Sequence, residues 1–151
     1  MERGSAMLTR SCLCRSVSYE ADATPGWIVH CHCKTCRKAH GTAFASVMIV
    51  PRIGFRWIRG EEFLASFESS PGKVRRFCSR CGSQLVSERD GQREMTLRLG
   101  CLDTPITDRA KVHIWGSDAA PWYDPKDSIP EQLEGFSYKR MHFEQYRGRS
   151  Q

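Results

Sequence analysis

Seven of the eight cysteines in this chain fall into three short clusters whose spacing suits metal coordination. The clusters are Cys12/Cys14, Cys31/Cys33/Cys36 and Cys78/Cys81. Cysteines in this number indicate either disulfides in a secreted protein or metal binding in a reducing compartment. The first ten residues contain only scattered apolar side chains, unlike the apolar centre of a secretory signal. We therefore expect reduced cysteines, metal ligation and a cytoplasmic location.

The Cys78-x-x-Cys81 pair is the strongest local signal, because a turn that brings residues i and i+3 together lets two sulfurs reach one metal ion. A structural zinc site needs four ligands, so a second pair must come from elsewhere. Cys12 and Cys14 can supply it, since residues i and i+2 of a strand project from the same face. The alternative, a redox pair of the thioredoxin type, belongs beside a βαβ unit that this sequence does not suggest. The spacing therefore predicts a closed four-thiolate zinc site.

The Cys31/Cys33/Cys36 cluster predicts a second site with a different coordination number. In an extended segment Cys31 and Cys33 share a face, and a turn then brings Cys36 to the same point. His30 and His32 fall on the opposite face by the same alternation, where we expect partly buried histidines hydrogen-bonded to the backbone. Three protein ligands leave a fourth position for water or substrate, which is typical of catalytic zinc.

Alternatives stay open for this second cluster and for the cations beside it. It can be a closed site, completed by a histidine or by Cys101, although the default reading of Cys101 is a small buried hydrophobic residue. Lys34, Arg37 and Lys38 can offset the negative charge of a zinc trithiolate and attract an anionic ligand, or they can simply form a solvated face. We expect these three cations to bind the substrate rather than to form a solvated face.

The pattern of apolar residues predicts one mainly β domain with little helix. With 40% apolar and 26% charged residues, the 151-residue chain is composed like a folded protein. Short alternating stretches recur, whereas a long amphipathic helix and a membrane-spanning run are absent from the sequence. A short helix over Lys34–His40 is expected to end at Gly41, and Asp90-Gly91 is a plausible hairpin turn. The predicted strands are 93–100, 62–69, 43–50 and 112–115.

The net charge of +6 raises the possibility of a nucleic-acid partner. Much of the excess lies in the polar tail, residues 137–151, which we expect to be loosely held. The chain lacks a basic recognition helix and repeated aromatic and basic residues, so nucleic acid is an unlikely partner.

With these residues in place, the chain resembles the glutathione-dependent formaldehyde-activating enzyme family, whose domain is shared with the centromere protein V group. The resemblance covers residues 11–136, between a short extension at 1–10 and the tail at 137–151. It rests on Cys12-Leu-Cys14, Cys31-His-Cys33-Lys-Thr-Cys36-Arg-Lys, Gly41, Phe77-Cys78-Ser-Arg-Cys81-Gly82-Ser83, His113-Ile-Trp115 and Pro121-Trp122. The chain departs from the family pattern at Arg15-Ser16, because a glycine commonly follows the first pair of cysteines there.

The resemblance implies an Mss4-like fold of antiparallel β-sheets, a β-tent held together by zinc. It implies two zinc ions per chain, a structural one on Cys12, Cys14, Cys78 and Cys81 and a catalytic one on Cys31, Cys33 and Cys36. The implied activity is that of a carbon-sulfur lyase similar to S-(hydroxymethyl)glutathione synthase, which reversibly joins a thiol such as glutathione to formaldehyde. The alternatives are a zinc module that binds nucleic acid or protein without catalysis, and a thiol carrier without turnover.

Overall fold

Ten strands and one short α-helix form the regular structure of residues 6–23 and 27–135, the part of the chain that this computed structural model describes. The strands are β1 (Ala6–Ser11), β2 (Ser18–Ala23), β3 (Trp27–Cys31), β4 (Ala45–Pro51), β5 (Phe55–Arg59), β6 (Leu64–Ser70), β7 (Lys73–Cys78), β8 (Gln84–Arg89), β9 (Glu94–Arg98) and β10 (Val112–Ile114). The helix α1 is Lys34–His40, and short 3-10 turns occupy Arg52–Gly54, Glu61–Phe63, Leu99–Cys101 and Gly116–Asp118.

The strands form a three-stranded sheet in the order β1-β2-β5 and a seven-stranded sheet in the order β10-β3-β4-β9-β8-β7-β6. Neighbouring strands are antiparallel except β10, which runs parallel to β3 at the edge of the larger sheet. This architecture confirms the predicted mainly β fold of antiparallel sheets with little helix. In the described ranges no helix has the length and apolar content needed to cross a bilayer.

The larger sheet is buried on both faces over its central strands. One face packs against the smaller sheet, and the other carries a second apolar cluster that extends to α1. Alternate residues of β4 divide between them, with Met48 and Val50 in the first cluster and Val47 and Ile49 in the second. This division explains why the sequence of β4 is almost continuously apolar, and it confirms the predicted strand buried on both faces.

The helix α1 begins and ends where the sequence predicted. Cys33 is the N-cap residue, and its sulfur accepts a hydrogen bond from the backbone N–H of Cys36. Gly41 ends the helix in the left-handed conformation, with φ of 63°, and its N–H donates to the carbonyl of Arg37 at 2.8 Å. The basic residues of the last turn interact favourably with the negative end of the helix dipole.

The structure confirms some of the predicted strands and corrects the bounds of others. Strand β9 and the Asp90-Gly91 turn before it are confirmed, and β10 confirms the predicted short strand. Strand β6 begins two residues later than predicted, and its Phe67 side chain is 66% exposed. Residues 6–10, assigned from the sequence to an extension, belong to β1, and the predicted tail lies outside the described residues.

Candidate metal centres and active site

Four cysteine sulfurs, those of Cys12, Cys14, Cys78 and Cys81, lie within 4.8 Å of one another. The Sγ atoms of Cys12 and Cys14 are 3.6 Å apart, and those of Cys14 and Cys78 are 3.8 Å apart. Tetrahedral zinc with Zn–S bonds of about 2.3 Å holds its sulfurs about 3.8 Å apart. These two separations fit that geometry, so this cluster can hold a zinc ion.

Two facing turns bring these four sulfurs together. Cys12 and Cys14 were expected on a strand, but they lie in the turn between β1 and β2, because the chain must reverse there for the two strands to pair. Within this turn the Arg15 N–H donates to the Cys12 carbonyl at 2.9 Å. Cys78 ends β7, and Cys81 lies in the turn that leads to β8. The cluster therefore connects the β1–β2 turn of the smaller sheet to the β7–β8 turn of the larger one.

Arg15 adopts a backbone conformation that favours glycine, with φ of 64°. This is the position where the family commonly has a glycine and where the sequence departs from its pattern. A non-glycine side chain is strained in this left-handed conformation. The Arg15 carbonyl accepts a hydrogen bond from Nη2 of Arg59 at 2.6 Å, which helps to hold the turn.

The sulfurs of Cys31, Cys33 and Cys36 form the second cluster, also within 4.8 Å of one another. Cys31 ends β3, Cys33 is the N-cap of α1, and Cys36 lies in the first turn of the helix. Within residues 6–23 and 27–135, no fourth cysteine, histidine, aspartate or glutamate joins this group. Cys101 lies elsewhere, packed against the core between the sheets, where its thiol donates to the carbonyl of Gln84.

The three sulfurs of this cluster strongly affect one another's ionisation. Hydrogen bonds with Cys33 and Cys36, together with burial, raise the pKa of Cys31 far above its usual value. Hydrogen bonds with Cys31 and Cys33 lower the pKa of Cys36. Arg75, whose Nη2 lies 3.7 Å from the Cys36 sulfur, lowers that pKa further. Three adjacent thiolates repel one another, and a divalent cation removes that repulsion. The donor set therefore suits a metal ion such as Zn²⁺.

This second cluster opens onto a cleft of about 450 Å³ whose floor is one face of the seven-stranded sheet. The half of the floor beside the cysteines is apolar and comes from β3, β4 and β10. The other half is polar and cationic and comes from β7, β8 and β9. Its residues are Lys73, Arg75, Ser87, Arg89, Thr96 and Arg98.

Strand register explains how these polar residues meet. On β9, Thr96 and Arg98 point to the same face, and Thr96 pairs with Ser87, which pairs in turn with Arg75. The hydroxyls of Ser87 and Thr96 are 2.5 Å apart, and Nη1 of Arg98 donates to the Thr96 hydroxyl at 3.2 Å. The sequence analysis missed these site residues. The signal was present as alternating polar residues, but only the strand order shows that the strands present one shared buried face.

The cations predicted to bind substrate lie in two places. Lys34 lines the cleft. Arg37 and Lys38 line a neighbouring groove together with the exposed Trp122, and Arg37 also donates to the backbone carbonyl of Asp118 at 2.7 Å. Trp115, which belongs to the His113-Ile-Trp115 motif of the sequence analysis, also lines the cleft.

Three histidines, His30, His32 and His113, form a network of ring contacts and hydrogen bonds. Nε2 of His32 and Nδ1 of His113 are 2.8 Å apart, and His113 also lies 3.1 Å from the Asp127 carboxylate. His30 pairs with the hydroxyl of Ser46. The sequence predicted hydrogen bonds from His30 and His32 to the backbone, but both side chains bond other side chains.

Fold and site together define a mainly β protein with two cysteine clusters that could hold metal ions, one with four sulfurs and one with three sulfurs that faces a basic cleft. The model of the glutathione-dependent formaldehyde-activating enzyme family matches residues 7–118, and the chain belongs to this family. A comparison with curated protein sequences gives no significant match. The crystal structure of a Rhodobacter sphaeroides protein is similar, with a TM-score of 0.57 and 21% sequence identity over 66% of this chain and 91% of that one. This likeness supports the fold.

Proposed function

We propose that this protein is a zinc-dependent carbon-sulfur lyase that reversibly joins a small thiol, similar to glutathione, to formaldehyde or a related aldehyde. One observation carries the proposal. The Cys31/Cys33/Cys36 cluster offers three sulfur ligands among the described residues, and it faces a cleft large enough for a small peptide. Family membership supports the same chemistry. A zinc ion on these three sulfurs would favour the thiolate form of a substrate thiol at neutral pH.

The proposed reaction is an addition without net oxidation or reduction. The substrate sulfur forms a bond to the aldehyde carbon, and the π electrons of the carbonyl move to its oxygen. The proton lost by the thiol ends on that oxygen, which gives a hydroxymethyl thioether. The reverse reaction breaks the same carbon-sulfur bond and returns the proton to sulfur.

The described residues have distinct proposed roles. Cys31, Cys33 and Cys36 would hold the metal ion, and Arg75 offsets their negative charge through its contact with Cys36. The apolar half of the cleft limits the water around the reacting sulfur. Lys34 is a proposed substrate contact because it lines the cleft. Arg37 and Lys38 face the neighbouring groove, where only a longer substrate reaches them.

The full metal complement in this proposal is two zinc ions, the structural one on Cys12, Cys14, Cys78 and Cys81. Seven thiolate ligands need a reducing environment, which favours the cytoplasm. The partner is a small-molecule thiol rather than nucleic acid, because the described cations of the site line a cleft instead of a convex surface.

Exchange NMR at equilibrium tests the activity. We expect the zinc-loaded protein to accelerate the exchange between glutathione and its hydroxymethyl adduct in the presence of formaldehyde. Cys33→Ser should remove one zinc ion and the acceleration, whereas the matched variant Cys101→Ser should keep two zinc ions and full activity. Unchanged exchange in Cys33→Ser would overturn the assignment of the site. Glutathione binding without acceleration by the wild-type protein would identify a thiol carrier instead.

A further inference from the structure

The cationic half of the cleft contains buried positive charges without carboxylate partners. Arg75 and Arg98 are each only 6% exposed. None of the ion pairs among residues 6–23 and 27–135 includes Lys73, Arg75, Arg89 or Arg98. The one carboxylate residue that lines the cleft in the described ranges is Asp118. Buried charges of this kind are unfavourable unless something compensates them.

Hydrogen bonds inside the protein satisfy these guanidinium groups only in part. Arg75 donates from Nε to the Ser69 hydroxyl at 2.9 Å and from Nη2 to the Cys36 sulfur, but its buried Nη1 lacks an acceptor in the described structure. Arg98 donates from Nη1 to Thr96, and its buried Nε likewise lacks one. The Cys36 thiolate offsets the charge of Arg75. Arg89 donates to the Pro71 carbonyl and to the Ser70 hydroxyl. Arg98 and Lys73 remain as cleft cations without a carboxylate partner among the described residues.

We propose that Arg98 and Lys73, supported by Arg75, form a carboxylate-binding subsite that selects thiols carrying a carboxylate at a distance from their sulfur. The inference rests on the proposed function, which places the substrate sulfur at the cysteine cluster. Arg98 is held in place by the Thr96–Ser87 hydrogen bonds, so its guanidinium is oriented before a ligand arrives. Burial lowers the pKa of Lys73 to about 8 and that of Arg98 to about 10, and an anion bound beside them would reverse part of that effect.

Strand register sets the length of ligand that this subsite suits. Val29 pairs with Val47 and Val47 with Arg98, so Arg98 lies two strands away from β3. Cys31 lies two residues further along β3. With strands about 4.8 Å apart and a rise of about 3.3 Å per residue, the Cα atoms of Cys31 and Arg98 are about 12 Å apart. Both side chains line the cleft on the same face of the sheet and stand roughly parallel, so the sulfur and the guanidinium are a similar distance apart. A ligand about three residues long in an extended conformation spans that distance.

Binding measurements with S-methylglutathione test this inference separately from the lyase reaction, because the methylated sulfur cannot react. Isothermal titration calorimetry of the zinc-loaded protein would compare S-methylglutathione with its diethyl ester, in which both carboxylates are blocked. We expect the diester to bind the wild-type protein about 10- to 100-fold more weakly, the loss typical of one or two charge-assisted hydrogen bonds. In Arg98→Gln the acid should weaken to the level of the diester.

Two further variants keep the test decisive. Arg76→Gln removes the same charge from the same sheet, but Arg76 lies outside the cleft and pairs with Glu88 at 2.9 Å, so the preference for the acid should persist. Arg98→Lys retains the charge without the planar guanidinium and should keep part of the preference. Equal binding of acid and diester to the wild-type protein, or an unchanged preference in a folded Arg98→Gln, would overturn the subsite. A preference that follows Arg98 in a protein without lyase activity would retain the subsite and reject the proposed reaction.

Discussion

The four-cysteine cluster should contribute more to folding stability than the three-cysteine cluster, because it connects segments that are much further apart in sequence. Cys14 and Cys78 are separated by 64 positions, whereas Cys31 and Cys36 span only six residues. A cross-link lowers the entropy of the unfolded chain by an amount that grows with the logarithm of the closed loop. By that relation the long loop contributes about 4 kcal/mol and the short loop about 2 kcal/mol.

The perturbation that tests this difference is Cys14→Ser/Cys81→Ser, which removes one ligand from each pair of the first cluster. Both sulfurs belong to residues that are not fully buried, so little packing is lost. We expect this variant to lose one zinc ion and about 4 kcal/mol of unfolding free energy, a large share of the 5–15 kcal/mol that is typical of a small domain. Cys33→Ser should lose one zinc ion and about 2 kcal/mol.

Urea denaturation under reducing conditions, with zinc content measured by mass spectrometry, provides the assay. Cys101→Ser is the matched control, because its serine can still donate to the Gln84 carbonyl. The denaturant dependence should stay the same in all variants, so that the midpoints report stability. Equal losses from the two clusters, or a larger loss from Cys33→Ser, would refute the argument from loop length.

Three further predictions concern ionisation and backbone conformation. Burial and the nearby Arg98 lower the pKa of His40 to about 4. Its contribution to stability is therefore complete above about pH 6.5 and is lost as the pH falls towards 4. In urea titrations the wild type should lose about 1–2 kcal/mol more unfolding free energy than His40→Gln between about pH 7 and pH 4. Lys73 must be protonated to bind an anion, so the affinity for S-methylglutathione should fall as the pH rises through about 8, and calorimetry of Lys73→Met should show a weaker but flatter profile. Arg15→Gly should be neutral or up to about 1 kcal/mol more stable by thermal unfolding, since relief of the left-handed strain offsets the entropy of glycine, whereas Arg15→Val should be destabilised.

Features that depend on neighbours in sequence could be predicted from the sequence alone. The helix α1 with its cap at Gly41 follows from local rules, and so does the hairpin turn at Asp90-Gly91. The strand β4 was predictable because a continuous apolar run of that length suits a strand covered on both faces. In each case the relevant interaction lies within a few residues.

The turn at Cys12 and Cys14 shows where local reasoning predicted the wrong backbone for the right side chains. Alternation along a strand and a tight turn both place two sulfurs on one side of the chain. The deciding factor is the antiparallel pairing of β1 with β2, which aligns Ser11 with Ser18 and forces a reversal between them. That pairing is a tertiary fact, and the cysteine spacing does not contain it.

The cationic face of the cleft could not be predicted because it depends on strand order. Lys73 and Arg75 belong to β7 and Arg98 to β9, and they meet only because β8 lies between those strands and the three share a face. From the sequence, alternating charged residues indicate a strand with one solvated face. Here that face is buried as well, so the same pattern forms a binding surface.

Strand β7 connects the two cysteine clusters. Its last residue, Cys78, belongs to the four-cysteine cluster, and Arg75, three positions earlier, reaches the Cys36 sulfur of the other cluster. A metal ion on the first cluster would fix the end of β7 relative to the turn between β1 and β2. It would thereby fix the positions of Arg75 and Lys73 relative to the three sulfurs that face the cleft. In the proposed mechanism the four-cysteine cluster contacts no substrate, but it would position the charges that recognise one.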